Sequence, residues 1–284
     1  MQVNWLIQYS AFEREQLDLL EAAIVAAGHK FTELWYRPFG AGFQEYDTRK
    51  PLVVPTDSPV LYYGTINGLK HLYRYSGGKP LAWVDFEDVT CMRYYPKWAE
   101  FLLQKKYLML PLQEIYRNKT WLYDVFGGKT REMFIRPDDN AKSFCGEKVY
   151  EEEFDKWKMT LEANGVGLST LSVVSKMEPI QKEYRLVMVD GKVLTGSTYR
   201  VGGELIYSNN ISESLIVFAE KLAAIWNPYP VYCLDIAEYE DQYSLVEISA
   251  INTSGLYDCD LNKIADVVSG IAIREFELQK TISV

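Results

Sequence analysis

The chain is poor in histidine, has no closely paired cysteines and carries no long apolar run. Its 284 residues include only His29 and His71. That removes most of the ground for Ser-His-Asp or Cys-His hydrolase chemistry, which needs a positioned histidine base. The four cysteines, Cys91, Cys145, Cys233 and Cys259, are scattered. No C-x-x-C pair exists, so structural zinc is disfavoured, and the pattern suits free thiols in a reducing compartment. No stretch of about twenty uncharged apolar residues is present to span a bilayer. The opening Met1-Gln2-Val3-Asn4-Trp5 lacks the basic-then-apolar signature of a signal peptide. A cytoplasmic protein with no membrane partner is expected. Basic charge is also short: the net charge is -9. A global basic face for nucleic acid is therefore not available, although a local basic cleft is. Chemistry is expected to run on carboxylates, cations and metal-bound phosphate.

What is present is a hydrophobic content of 48% and an aromatic content of 14%, enough for one large domain or two small ones with cores. The first residues read as strand (3–8), helix (11–27, ended by Gly28) and strand (31–36). A strand at 60–63, a helix at 66–75 and a strand at 81–86 follow. This alternation argues for a small α/β layer fold. A helix is predicted at 96–105, then a less regular stretch to about residue 131. Beyond it strands dominate, at 133–136, 171–175, 183–189, 193–199, 231–236 and 244–248. Asp190-Gly191 makes a tight hairpin turn, and helices are predicted at 212–226 and 262–276. The domain boundary is placed near residue 115, giving an N-terminal α/β domain over 1–115 and a second domain over 116–284.

Gly128-Lys129-Thr130 is not a P-loop, because the first glycine of Gly-x-x-x-x-Gly-Lys-Thr would fall at Tyr123. Three other segments carry more. In 134–146, Arg136 ends a strand, Pro137 stops it, and a polar loop brings Lys142, Ser143 and Gly146. Two cations with backbone N–H groups near Ser143 and Gly146 suit a polyphosphate; a solvated loop with incidental charges is the plain alternative. In 183–193, Glu183 and Arg185 lie two apart and share one sheet face, with Tyr184, Leu186 and Met188 towards the core. The hairpin continues to Ser197, Tyr199 and Arg200, and a cross-strand ion pair on an exposed face would also explain it. In 234–252, Asp235 and Glu247 sit among aliphatic residues, where a carboxylate needs a partner. Mg2+ is the natural one, with Asn252 as a further oxygen donor. An arginine salt bridge is the alternative, and two carboxylates on neighbouring strands favour metal.

These segments, in this order, resemble the ATP-grasp superfamily, and within it a phage and bacterial clade marked by two arginines and a lysine. The matching residues are Phe134 to Pro137, Lys142 to Gly146, Glu183 to Arg185, Ser197 to Tyr199 and Asp235 to Asn252, spanning about 120–270. The resemblance implies a small α/β domain of the pre-ATP-grasp kind followed by a two-lobed ATP-grasp domain, with lobes at about 116–177 and 178–284. It implies an ATP- and Mg2+-dependent carboxylate-amine ligase working through an acyl-phosphate in the cytoplasm of a bacterium or phage-infected host. Small-molecule or peptide carboxylates and amines would be its substrates, and a homodimer is compatible with it. Arg136 and Lys142 are the arginine and lysine that would hold ATP phosphates, with Ser143, Gly146 and Glu183 nearby. The strand from Val173 to Glu178, carrying Ser175 and Glu178, would lie against adenine. Asp235, Glu247 and Asn252 would bind Mg2+, and Arg185 and Arg200 would stabilise the transferred phosphoryl group. The sequence departs from the family where Glu247-Ile248-Ser249 replaces Glu-x-Asn. Serine is the poorer ligand, which favours a competing reading as a non-catalytic nucleotide-binding or anti-defence protein. A kinase on the same scaffold is the other competitor.

Overall fold

The computed structural model describes residues 1–37, 42–75, 81–83, 89–139 and 142–282. The first stretch contains β1 (Asn4–Gln8), α1 (Arg14–Ala26), β2 (Lys30–Arg37), β3 (Gly42–Glu45), β4 (Val60–Tyr63) and α2 (Ile66–Tyr75). The second contains α3 (Cys91–Tyr94), a 3-10 turn (Ala99–Phe101), β5 (Tyr107–Pro111), α4 (Leu112–Arg117), α5 (Lys119–Phe126), β6 (Glu132–Pro137), β7 (Glu147–Tyr150), α6 (Phe154–Ala163) and β8 (Leu171–Lys176). The third contains β9 (Lys182–Val189), β10 (Lys192–Val201), β11 (Glu204–Ser208), α7 (Glu213–Ile225), β12 (Val231–Tyr239), β13 (Gln242–Ser249) and α8 (Leu261–Ile282). Among the described residues, no helix is long and apolar enough to cross a membrane.

Two compact units result. The first combines Met1–Val84, Lys182–Ile236 and Glu247–Val284; the second combines Asp85–Gln181 with Ala237–Val246. Compactness thus divides the chain differently from the expected 1–115 and 116–284, because the N-terminal α/β layer shares a core with the C-terminal segments. In the first unit, β1 is flanked in parallel by β2 and β4, and β3 closes the edge antiparallel to β2. All of β1 is buried, as a central parallel strand covered on both faces must be. Its Trp5, Ile7 and neighbouring Leu61 join Val187, Cys233, Ile264 and Val268 in one core. Trp5 Nε1 donates to Ser269 Oγ at 2.9 Å, tying β1 to α8. The second sheet runs β11-β10-β9-β12-β13. The β9–β10 hairpin turns at Asp190 (φ 46°) and Gly191 (φ 80°), the paired left-handed conformations of a type I′ turn.

The second unit is built on an antiparallel sheet ordered β5-β8-β6-β7. Its core gathers Leu112, Ile115, Tyr123, Met133, Ile135, Phe144, Phe154, Trp157 and Val174.

Most expected elements form within a residue or two of their bounds. The helix expected at 96–105 does not: a single 3-10 turn, Ala99–Phe101, stands there instead, even though Tyr95, Trp98 and Leu102 are buried at helical spacing. The stretch to 131 is regular, forming β5, α4 and α5. Strands β3, β7 and β11 and helix α6 stand where the sequence pattern predicts no element. Of the strand expected at 81–86, Leu81 makes a parallel bridge to Leu61 and residues 84–86 lie outside the described residues.

Candidate functional site

In the second unit, β6 delivers Arg136 at its C-terminal end, where it is 9% exposed and donates to the Val246 carbonyl at 3.3 Å. The following loop is held at three points. Asp138 is buried; its Oδ1 accepts from Met92 N–H at 2.6 Å, and burial raises its pKa. Phe144 is buried against Trp157, ring centroids 6.0 Å apart. Gly146 lies so close to β6 that a Cβ would come within 2.9 Å of Arg136 Cβ and 3.0 Å of Phe134 Cζ. Between these anchors Lys142, Ser143 and Cys145 are exposed, and Lys142 sits at φ 54°. Ser143 is not a free phosphate cradle. Its N–H and hydroxyl both go to the Asp139 carboxylate, at 3.3 and 2.6 Å.

The same unit contains a pocket of about 430 Å3 lined by Leu103, Lys105, Lys106, Lys176, Glu178, Pro179, Ala237, Tyr239, Gln242 and Ser244. β5 pairs antiparallel with β8, ending at Tyr107 opposite Ser175. Lys106 and Lys176 therefore emerge at the same end of the two strands. Three lysines against one glutamate make this rim cationic, and like charges so placed favour a bound anion. Apolar Leu103, Pro179 and Ala237 with Tyr239 suit a flat base. Of the expected adenine-strand residues, Glu178 lines this pocket, whereas Ser175 is buried with its hydroxyl on the Lys176 carbonyl at 3.3 Å. Lys105 and Lys106 escaped the sequence reading; the available signal was a lysine pair directly before the apolar run Tyr107–Pro111.

In the first unit, Arg185 on β9 is 6% exposed and Asp235 on β12 is 4% exposed. Nε donates to Oδ1 at 2.8 Å and Nη2 to Oδ2 at 2.6 Å, while Nη1 donates to the Gly255 carbonyl at 2.8 Å. Burial opposes the guanidinium charge, but Asp235 more than restores it, and the Arg185 pKa stands well above its usual value. Glu183 does not pair with Arg185. It accepts from Tyr199 Oη at 2.8 Å and Arg200 Nη1 at 3.3 Å. A register shift between Thr198 and Arg200 lets both Tyr199 and Arg200 reach it, the way a bulge re-aims side chains.

The expected metal ligands are not assembled as an open set. Asp235 gives both oxygens to Arg185, the alternative the sequence left open. Asn252 is 1% exposed; its Oδ1 accepts from Trp83 N–H at 3.0 Å and its Nδ2 donates to the Tyr62 carbonyl at 2.8 Å. Its amide is a clip between β4 and the 81–83 segment. Ser249 Oγ is 2.8 Å from Ser254 Oγ. Glu247 is half-buried on β13. Among the described residues, no group of three or more His, Cys, Asp or Glu is placed to hold a metal ion. Two of the three expected ligands, Asp235 and Asn252, thus have their side-chain oxygens in hydrogen bonds within the protein.

The mixed α/β architecture and its sheets are those of an ATP-grasp protein. Residues 117–267, more than half of the chain, match the model of an ATP-grasp domain, family 2 of its clade, and the chain belongs to that ATP-grasp family. No curated protein sequence matches it. Among solved structures, it resembles D-cycloserine synthetase DcsG with a TM-score of 0.62 and 11% identity over 95% of this chain and 99% of that one. It resembles D-alanyl-alanine synthetase A from Vibrio cholerae with a TM-score of 0.57 and 13% identity, over 98% and 96% of the two chains. Macrocyclase MdnC from Microcystis aeruginosa, bound to precursor peptide MdnA, gives a TM-score of 0.57 and 13% identity over 96% and 100%. At these identities the likeness is one of fold.

Proposed function

We propose that the protein is an ATP-dependent carboxylate-amine ligase. The observation that carries this reading is the lysine-rimmed, apolar-walled pocket at the end of β8, in a chain that belongs to an ATP-grasp family. Adenine would lie among Leu103, Pro179 and Tyr239 with Glu178 beside it. Lys105, Lys106 and Lys176 would meet phosphate oxygens, and Arg136, Lys142 and Gly146 would close the β6 loop over them. In this reading Arg136, Arg185 and Lys142 are the two arginines and the lysine that mark the clade. The family boundary at residue 117 supports a division at about 115 between the preceding α/β portion and the ATP-grasp portion.

The chemistry needs no protein nucleophile. A substrate carboxylate oxygen attacks the γ-phosphorus of ATP and ADP leaves with the bonding pair. An amine nitrogen then attacks the acyl-phosphate carbon, phosphate departs, and the amine gives up a proton. Arg185 and Arg200 would stabilise the charge in flight, and alignment does the rest. Because Asp235 is committed to Arg185, ATP would bring Mg2+ held mainly by its own phosphates, as that ion commonly is.

The test has two parts. Mg-ATP should raise the melting temperature of the parent by mass action, and Lys106→Ala with Lys176→Ala should abolish the shift in a folded protein. ADP release should then depend on an added carboxylate and an added amine, screened as amino acids and peptides by mass spectrometry. No melting shift at millimolar Mg-ATP would sink the reading. A second reading, nucleotide binding without turnover, is favoured by the Ser249–Ser254 and Asp235–Arg185 pairings, which occupy expected metal oxygens. ATP binding without ADP would establish it, whereas ADP with a phosphorylated product would mark a kinase.

A further inference from the structure

Above Arg185 the first unit carries an aromatic column. The Arg185 guanidinium lies 5.1 Å from the Tyr257 ring centroid and 6.0 Å from that of Tyr199. Tyr199 and Tyr257 stack at 4.7 Å and 14°, and Tyr207 stacks on Tyr257 at 5.5 Å and 29°. The inner end is buried: Tyr199 is 7% exposed, whereas Tyr207 is 54% exposed.

The column is held under strain. Tyr257 is a bulky residue at φ 50°, a conformation that persists only where neighbours impose it and that gathers at functional sites. Four contacts impose it here. Gln16 Nε2 donates to the Tyr257 carbonyl at 3.2 Å, and Arg185 holds the Gly255 carbonyl at 2.8 Å. Asp258 N–H donates to Ser197 Oγ at 3.2 Å, and the Asp258 carboxylate accepts from Asn209 N–H at 2.9 Å. A glycine at this position would have avoided the strain, so the ring itself is what is being placed.

Beside the open end stand two further groups of matching chemistry. Leu205, two residues before Tyr207 on edge strand β11 and so on the same face, is 63% exposed. Arg200, opposite Leu205 in register, has a 45% exposed side chain and makes a 3.3 Å contact to Glu183. An open ring face, an apolar neighbour and an exposed guanidinium complement a ligand that is flat, apolar and anionic.

On the ligase reading above, we infer that Tyr207, Tyr257 and Arg200 form the subsite for the carboxylate substrate and select one with an aromatic side chain. Its ring extends the column on Tyr207, and its carboxylate is steered to Arg200.

Isothermal titration of the intact protein with three probes tests this: N-acetyl-L-tryptophan, its amide, and N-acetyl-L-alanine. The tryptophan acid should bind about tenfold or more tightly than either of the others, the amount a buried, stacked ring and a paired charge supply. Tyr207→Ala should lose that preference over alanine and Tyr207→Phe should keep it. Arg200→Gln should erase the difference between the acid and its amide. Equal binding of the tryptophan and alanine acids, no binding of any probe, or an unchanged preference in Tyr207→Ala of normal melting temperature each overturns the assignment. The Mg-ATP melting shift is measured on the same samples. Its absence alongside a retained tryptophan preference removes the ligase reading and not the subsite.

Discussion

Arg185 and Asp235 hold each other through two parallel hydrogen bonds of 2.8 and 2.6 Å between neighbouring strands β9 and β12, with side chains only 7% and 5% exposed. A buried pair of this kind is weak evidence of net stability, but breaking it from one side strands a charge. Asp235→Asn should therefore destabilise the protein by about 3–5 kcal/mol, read by urea denaturation. Joint replacement Arg185→Met with Asp235→Leu should recover most of that loss. Parent-like stability in Asp235→Asn would remove the pair as a structural element and return Asp235 to consideration as a metal ligand.

Asn252 separates a backbone role from a metal role. Asn252→Ala leaves the Trp83 N–H and the Tyr62 carbonyl without their amide partner, at a cost of about 1–3 kcal/mol. Affinity for Mg-ATP per folded molecule should stay within about twofold, a change well under 1 kcal/mol. A large loss of nucleotide affinity at unchanged stability would reverse the assignment.

Gly146 is required by close approach. Gly146→Ala sets a methyl group against Arg136 Cβ and the Phe134 ring, an overpacking worth about 1–3 kcal/mol. The loop keeps its other two anchors, Asp138 and Phe144, so it should shift away from β6 locally rather than unfold the unit. The expected outcome is a weakened Mg-ATP melting shift with a modest fall in the unliganded melting temperature. An unaltered shift would detach this loop from nucleotide binding.

Glu21 gives the protein a pH dependence. Burial first, then Glu33, raises its carboxyl to about 7, while Arg14 opposes the change. Arg14 binds Asp18, Glu21 and Glu33 together. A folded-state pKa above the unfolded value of about 4.3 means the proton is held more tightly in the fold. This contribution is full below the unfolded pKa and is lost as pH rises through about 7. Melting temperature should fall between about pH 4 and pH 7 for this reason, and Glu21→Gln should flatten the decline. An equally steep decline in the variant would assign the dependence elsewhere.

The legible parts of this chain are those that local pattern controls. Val60–Tyr63 and Ile66–Tyr75 form at the bounds their apolar spacing predicts, and Asp190-Gly191 turns as its conformational preferences require. The helix α7 begins at an N-cap, Ser212, which accepts from Leu215 N–H at 3.2 Å. The family was also legible, because its segments lie in order along the chain. The edge strand β11 was not, since three exposed apolar residues in a row carry no alternation.

Residue type alone made Arg185 and Asp235 candidates; it could not say that they would be each other's partners, because hydrogen bonding between residues fifty positions apart depends on strand order. Asn252 shows the same limit: an amide serves a metal or a backbone equally well until the fold brings Trp83 and Tyr62 against it. The pocket around Lys106 and Lys176 exists only once β5 and β8 pair. Sequence thus determined local conformation and the inventory of charged groups, which depend on neighbours along the chain. Tertiary structure decided which charges neutralise one another and which face open space, since Coulombic and hydrogen-bonding choices are set by distance and desolvation.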